Sequence, residues 1–143
     1  MVDLPRRLRR RKRIELVMII RVDDDMKRPL TFGAPPKRVV SLVPSDTFSV
    51  AALGCGDALV GRTDYCEAPA DVVARVPSVG GTKNPNLEAI LDLSPDLVIA
   101  NKEENTKKDL ETLAQKGLKV LVAFPKRAAD GIAHLARLAR IFY

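Results

Sequence analysis

The chain has 143 residues, 46% of them apolar, which is enough for one hydrophobic core and too few for two ordinary domains. The net charge of +6 sits at one end: Arg6, Arg7, Arg9, Arg10, Arg11, Lys12 and Arg13 face only Asp3, and acids and bases balance over the rest. A neutral body behind a basic tail argues against a nucleic-acid reader, whose charge belongs on the folded face that meets the phosphates.

Residues 1–13 are expected to be a disordered basic tail, and 14–143 a single α/β domain. The apolar run Leu16 to Ile20 is shorter than the roughly 7 to 15 residues of a secretory signal core. Glu15 interrupts its approach, and Asp23, Asp24 and Asp25 follow with no small-x-small cleavage site. No segment approaches the length of about 20 apolar residues that spans a bilayer.

Val17 to Val22 and Leu30 to Phe32, flanking the polar segment Asp23 to Arg28, predict a β-hairpin at a sheet edge. Val39 to Val43 predicts a strand closed by Pro44, followed by a helix with Ser45 or Asp46 as cap and Phe48, Ala51, Ala52 and Leu53 on its apolar face. Gly54 and Gly56 suit its termination, and Ala58 to Gly61 reads as a short strand. A helical turn is expected near Ala70 to Ala74. Asn86 then caps a helix with Leu87, Ile90 and Leu91 on one side, ended by Ser94 and Pro95.

Leu97 to Ala100 predicts a buried strand, and Glu104 to Lys116 a helix with Leu110, Leu113 and Ala114 inward, stopped by Gly117. Val120 to Ala123 predicts the next strand, and Ile132, Leu135, Ala136 and Ala139 the core stripe of a last helix. Short apolar runs alternating with amphipathic stretches imply a largely parallel open sheet flanked by helices, flavodoxin- or Rossmann-like in class.

In such a sheet ligands bind outside the carboxyl ends of the strands, where loops and helix amino termini converge. The residues expected there are Pro44, Ser45 and Asp46; Arg62 to Cys66; Asn101 to Asn105; and Phe124 to Arg127. Enzyme signatures are weak. Gly54, Cys55 and Gly56 precede a strand instead of following one, so they fit helix termination better than a phosphate loop. Cys55 and Cys66 are too far apart for a CxxC pair and are expected as unpaired thiols, Cys66 being the one candidate nucleophile or soft ligand. His134, the single histidine, reads as a surface residue of the last helix, which leaves no histidine-based metal or triad site.

Three segments in order, RVVSLVPSDTFSVAALGCGDALVGRTDYCEAP, VGGTKNPNLEAILDLSPDLVIANKEEN and LAQKGLKVLVAFP, closely resemble substrate-binding proteins of ABC importers of the cobalamin, haem and siderophore type, the helical-backbone metal receptors. The resemblance covers residues 37–140 and implies the amino-terminal lobe of a two-lobed clamp, without the second lobe. With the strand ends, this reading makes the expected ligand-binding residues Pro44, Ser45, Asp64, Tyr65, Cys66, Thr82, Lys83, Asn84, Asn101 and Lys102. Tyr65 matches the aromatic that packs on the macrocycle, and Glu88 the acidic residue presented to the membrane permease. Thr82 and Asn101 stand where the cobalamin binder has tryptophans, which widens the ligand to a corrinoid, haem, ferric siderophore or another chelate.

The resemblance implies a non-enzymatic receptor with no covalent cofactor and no metal of its own, an ABC permease as partner and an extracytoplasmic location. Two readings compete with it: a truncated or orphan flavodoxin-like domain with an enzymatic role, and a nucleic-acid-binding module acting through the tail.

Overall fold

The computed structural model describes residues 19–143. The basic tail and the Val17 start of the predicted hairpin lie outside the described residues. β1 (Ile20–Asp23) and β2 (Pro29–Phe32) pair antiparallel, from Ile20 opposite Phe32 to Asp23 opposite Pro29. Buried Asp24 organises the turn: its Oδ1 accepts the amides of Met26 and Arg28, each at 2.9 Å.

Four parallel strands, β3 (Val39–Ser41), β4 (Leu59–Gly61), β5 (Leu97–Asn101) and β6 (Val120–Ala123), form a separate sheet in the order β4-β3-β5-β6. The largely parallel open sheet expected from the sequence is thus present, and its strand order is the doubly wound, flavodoxin-like one. The strands read as uninterrupted apolar runs because both faces are covered. Val39, Leu97, Ile99 and Leu121 point to one side; Val40, Val98, Ala100, Val120 and Val122 point to the other. The hairpin lies beside this sheet and meets its edge through its turn, where the Asp25 amide donates to the Val122 carbonyl at 3.0 Å.

α1 (Pro44–Ala52) begins with Val43 as N-cap and Pro44 in the first turn, where a missing amide hydrogen is harmless. Ser45 and Asp46 therefore lie inside the helix and do not cap it. Asp46, Thr47 and Val50 form its buried face, while Phe48, expected inward, is half exposed. Gly54, at φ 83, ends the helix in a left-handed conformation that glycine tolerates best. A 3-10 turn, Gly56–Ala58, leads into β4, which begins one residue later than predicted.

α2 (Ala70–Arg75) and α3 (Leu87–Asp92) follow, and Asn86 caps α3 as expected, accepting the Ala89 amide at 3.0 Å. α4 is Lys107–Gln115, shorter than predicted, with Thr106 as N-cap. Asn101 Oδ1 accepts the amides of Glu103 and Glu104, which holds 101–105 as a turn and delays the helix. Leu110 and Leu113 are buried; Ala114 is exposed, against expectation.

The largest correction concerns α5 (Ala128–Phe142). Its buried stripe is His134, Leu138, Ile141 and Phe142. Ile132 and Leu135, predicted to face the core, are 71% and 46% exposed, and Ala136 is exposed as well. Its first turn is secured by Asp130, whose Oδ2 accepts the amides of Lys126 and Arg127; these bonds hold the Asp130 carboxyl below the usual carboxylate range. Among the described residues no helix is long and apolar enough to cross a membrane.

Candidate functional site

The chain leaves β3 toward β4 on one side of the sheet and later returns past β3 to β5 on the other. Loops leaving β3 and β5 therefore part in opposite directions, and a crevice opens between their carboxyl ends. At that point lies a recess of about 210 Å³, lined by Ser45, Asp46 and Ser49 of α1, Asn101 at the end of β5, Pro125 after β6, and His134 and Leu135 of α5. Hydroxyl, amide, carboxylate and imidazole groups thus converge beside an apolar wall.

Asn105 ties the rim together. Its Nδ2 donates to the carbonyls of Leu42 (3.2 Å) and Thr82 (3.0 Å), and its Oδ1 accepts the Asn101 amide at 2.8 Å. One buried amide group thereby holds the ends of β3 and β5 and the 80–84 loop in register. Lys83 Nζ donates to the Glu103 carbonyl, and the Asp64 amide to the Gly80 carbonyl at 2.9 Å. The Ser78 hydroxyl donates to Asp64 Oδ1. Gly80 adopts φ 105, a backbone that side chains strain, and the Asn84 side chain folds across Gly81 so closely that a side chain at 81 would collide. The Tyr65 ring lies beside Gly81 and is 65% exposed.

The expected site residues thus divide. Ser45 and Asn101 line the recess. Half-buried Pro44 opens the helix that carries Ser45, and the loops bearing Asp64, Tyr65, Thr82, Lys83 and Asn84 are bonded to one another or to the turn after β5. Cys66 departs from the prediction. Its thiol is 3% exposed, 3.2 Å from Thr47 Oγ1 and 3.4 Å from Thr63 Oγ1, so it faces the core and not a ligand. Lys102 is absent from the lining and borders a second recess with Leu110 and Val122 on the other face of the sheet. Exposed Glu88 lies on the first turn of α3. Arg62, at the end of β4, is occupied by the carbonyls of Thr63, Val73 and Val76.

His134, expected at the surface, is 7% exposed and forms the floor of the recess. Its Nε2 is 2.9 Å from Asp46 Oδ1 and its Nδ1 2.7 Å from Arg137 Nη2. A guanidinium only donates, so Nδ1 accepts and Nε2 carries the proton given to Asp46. Arg137 continues to Asp25 Oδ1 at 2.9 Å and to the Asp23 carbonyl at 3.0 Å. The rim helix α1, α5 and the hairpin turn are thereby joined through side chains.

Burial alone would raise the Asp25 carboxyl, but the Arg137 hydrogen bond, the Phe124 amide at 2.6 Å and the charge of Arg137 outweigh it and hold the group below its ordinary 3.8. Asp25 therefore stabilises the fold above the carboxyl's unfolded value, and that contribution disappears as the pH falls through its lowered one. Asp25→Asn is expected to flatten the acid limb of the stability curve, measured by urea unfolding between about pH 2 and 6; an unchanged slope would show that Asp25 is not coupled to folding. Glu104, half-buried behind the rim, shifts the other way: burial and then the Asp46 charge raise its carboxyl, against the opposing pull of Lys83. Among the described residues no three of His, Cys, Asp and Glu converge as a bound metal would require.

The fold defines an open α/β lobe with a crevice at the switch point of its parallel sheet. Residues 39–142 match the periplasmic binding protein family, and the chain belongs to that family. It is 37% identical over 98 residues to the vitamin B12-binding protein of Vibrio vulnificus, a match covering 68% of this chain and 36% of that protein. Its fold is similar to the crystal structure of the periplasmic vitamin B12-binding protein BtuF of Vibrio cholerae, with a TM-score of 0.70, 30% identity, and coverage of 75% of this chain and 42% of that one. A periplasmic haem-binding protein from Pseudomonas aeruginosa is similar with a TM-score of 0.61 and 27% identity, covering 72% of this chain and 40% of that one. The chain thus spans well under half the length of these relatives.

Proposed function

We propose that the chain supplies one wall of the ligand cleft of an ABC-importer receptor, which captures a metal chelate outside the cytoplasm and hands it to a membrane permease. The observation that carries this reading is the single rim at the switch point, where Ser45 and Asn101 line a recess and the loops of Tyr65 and Lys83 are bonded to the same edge. Support also comes from relatives named for vitamin B12 and haem binding, and from membership of a family of binding proteins, a class that retains ligands and does not transform them.

Tyr65 offers a flat apolar ring with a polar tip, suited to packing against a macrocycle. Ser45, Asp64, Thr82, Lys83, Asn84 and Asn101 supply hydrogen bonds around it, and exposed Glu88 offers a carboxylate to a basic permease surface. A ligand against this wall alone remains hydrated on its far side, so the wall supplies only part of the binding energy of a closed cleft.

The test is titration of the protein with cyanocobalamin, haemin and a ferric hydroxamate siderophore, followed by ligand absorbance. Saturable binding of one chelate is expected, weakened about tenfold by Tyr65→Ala through lost ring contact. Failure of all three to bind would remove the receptor reading and leave the fold unaffected.

A further inference from the structure

A second recess, more apolar than the one at the switch point, lies elsewhere on the described surface. A cavity of about 440 Å³ lies on the opposite face of the sheet, between the hairpin turn and α4. Its apolar lining is Met26, Leu110 and Val122, joined by Arg28, Lys102 and Lys107; Arg28 is paired with the buried Asp24 carboxylate at 3.2 Å and Lys107 lies 3.7 Å from Glu111, so among the described residues Lys102 is the lining cation without an acidic partner. The volume falls within the range of about 300 to 1,000 Å³ typical of small-molecule sites. The Lys102 Nζ lies 4.7 Å from the centroid of the Phe124 ring, a cation–π contact.

A partner's β-strand does not fit here. The Val122 amide donates to Asp24 Oδ2 and its carbonyl accepts from the Asp25 amide, so the sheet edge at the floor is already paired. What remains is an apolar floor beside one net positive charge, carried by Lys102 with the exposed Lys107 next to it. We infer that this recess binds a small amphiphilic anion, with an apolar body against Met26, Leu110 and Val122 and a carboxylate facing Lys102 and Lys107. This inference rests on neither the chelate nor the permease.

Decanoate is the probe, with decyltrimethylammonium as its cationic counterpart, and side-chain methyl NMR of the whole chain reports where each binds. Decanoate is expected to bind saturably, one per chain, shifting the methyl signals of Met26, Leu110 and Val122, whereas the ammonium leaves them in place. Reversing the exposed Lys102→Glu and Lys107→Glu together should weaken decanoate about tenfold with the unliganded methyl spectrum retained. The inference is overturned if decanoate causes no saturable shift below its micellar concentration, if the shifts fall at Leu135 and the Ser45 recess, or if the charge reversal or the change of head group makes no difference.

Discussion

Leu138→Ala is expected to destabilise the protein by about 3 kcal/mol, whereas Leu135→Ala, three positions earlier on the same helix, should change stability by no more than about 0.5 kcal/mol. Leu138 has no exposed surface and packs with Ile99, Leu121 and Ile141, so truncation loses both its burial and its contacts around the cavity left behind. Leu135 is 46% exposed at the edge of the rim recess and leaves no void when shortened. For a chain of this size the first change should lower the melting temperature by roughly 6 to 12 °C, as measured by calorimetry. Equal effects from the two leucines would mean that α5 is rotated from the orientation described.

The second large effect is expected at the buried pair beneath the rim. His134→Ala leaves the Asp46 carboxylate, 7% exposed in its side chain, without its donor, and leaves Arg137 without the ring nitrogen that accepts from it. Hydrogen bonds to charged groups contribute about 1.5 to 3 kcal/mol, and an unsatisfied buried partner adds to the loss, so a cost of about 3 kcal/mol is expected. His134→Gln returns a side-chain amide close to the position of Nε2 and should recover about half of it. Chemical denaturation of the two variants distinguishes a lost hydrogen bond from lost volume: equal destabilisation would show that the imidazole only fills space.

The parallel sheet was legible in the sequence because strands covered on both faces need no alternation, and the runs at 39–43, 97–100 and 120–123 contain almost none. The phase of α5 was not. Two stripes compete along that helix, and the one with Ile132, Leu135, Ala136 and Ala139 looks more apolar as long as histidine is counted as polar. The structure favours the other stripe because Asp46, 88 positions away, gives the imidazole a buried partner that local periodicity cannot reveal. Asn105 was expected at this edge only as part of the turn after β5, and its tie to β3 was hidden for the same reason: its acceptor on Leu42 lies 63 positions away.

The site was legible to the extent that strand ends are legible. Ser45 and Asn101 follow from where apolar runs stop, and both line the recess. Which way a loop side chain turns did not follow. Lys102, next to Asn101, borders the opposite recess, and Cys66, next to exposed Tyr65, turns toward Thr47 and Thr63. Tyr65 and Lys102 both sit in turns, where the backbone changes direction from one residue to the next, so a one-residue step moves a group from the crevice to another surface.

Amide NMR of the protein with each chelate tests the half-cleft most directly. Binding should shift Ser45, Tyr65, Lys83 and Asn101 together and leave the far edge of the sheet, around Gly33, Asp96 and Gly117, unchanged. Shifts clustered at that far edge, or scattered so that these four never move as a group, would contradict a ligand wall built on the carboxyl ends of β3 and β5.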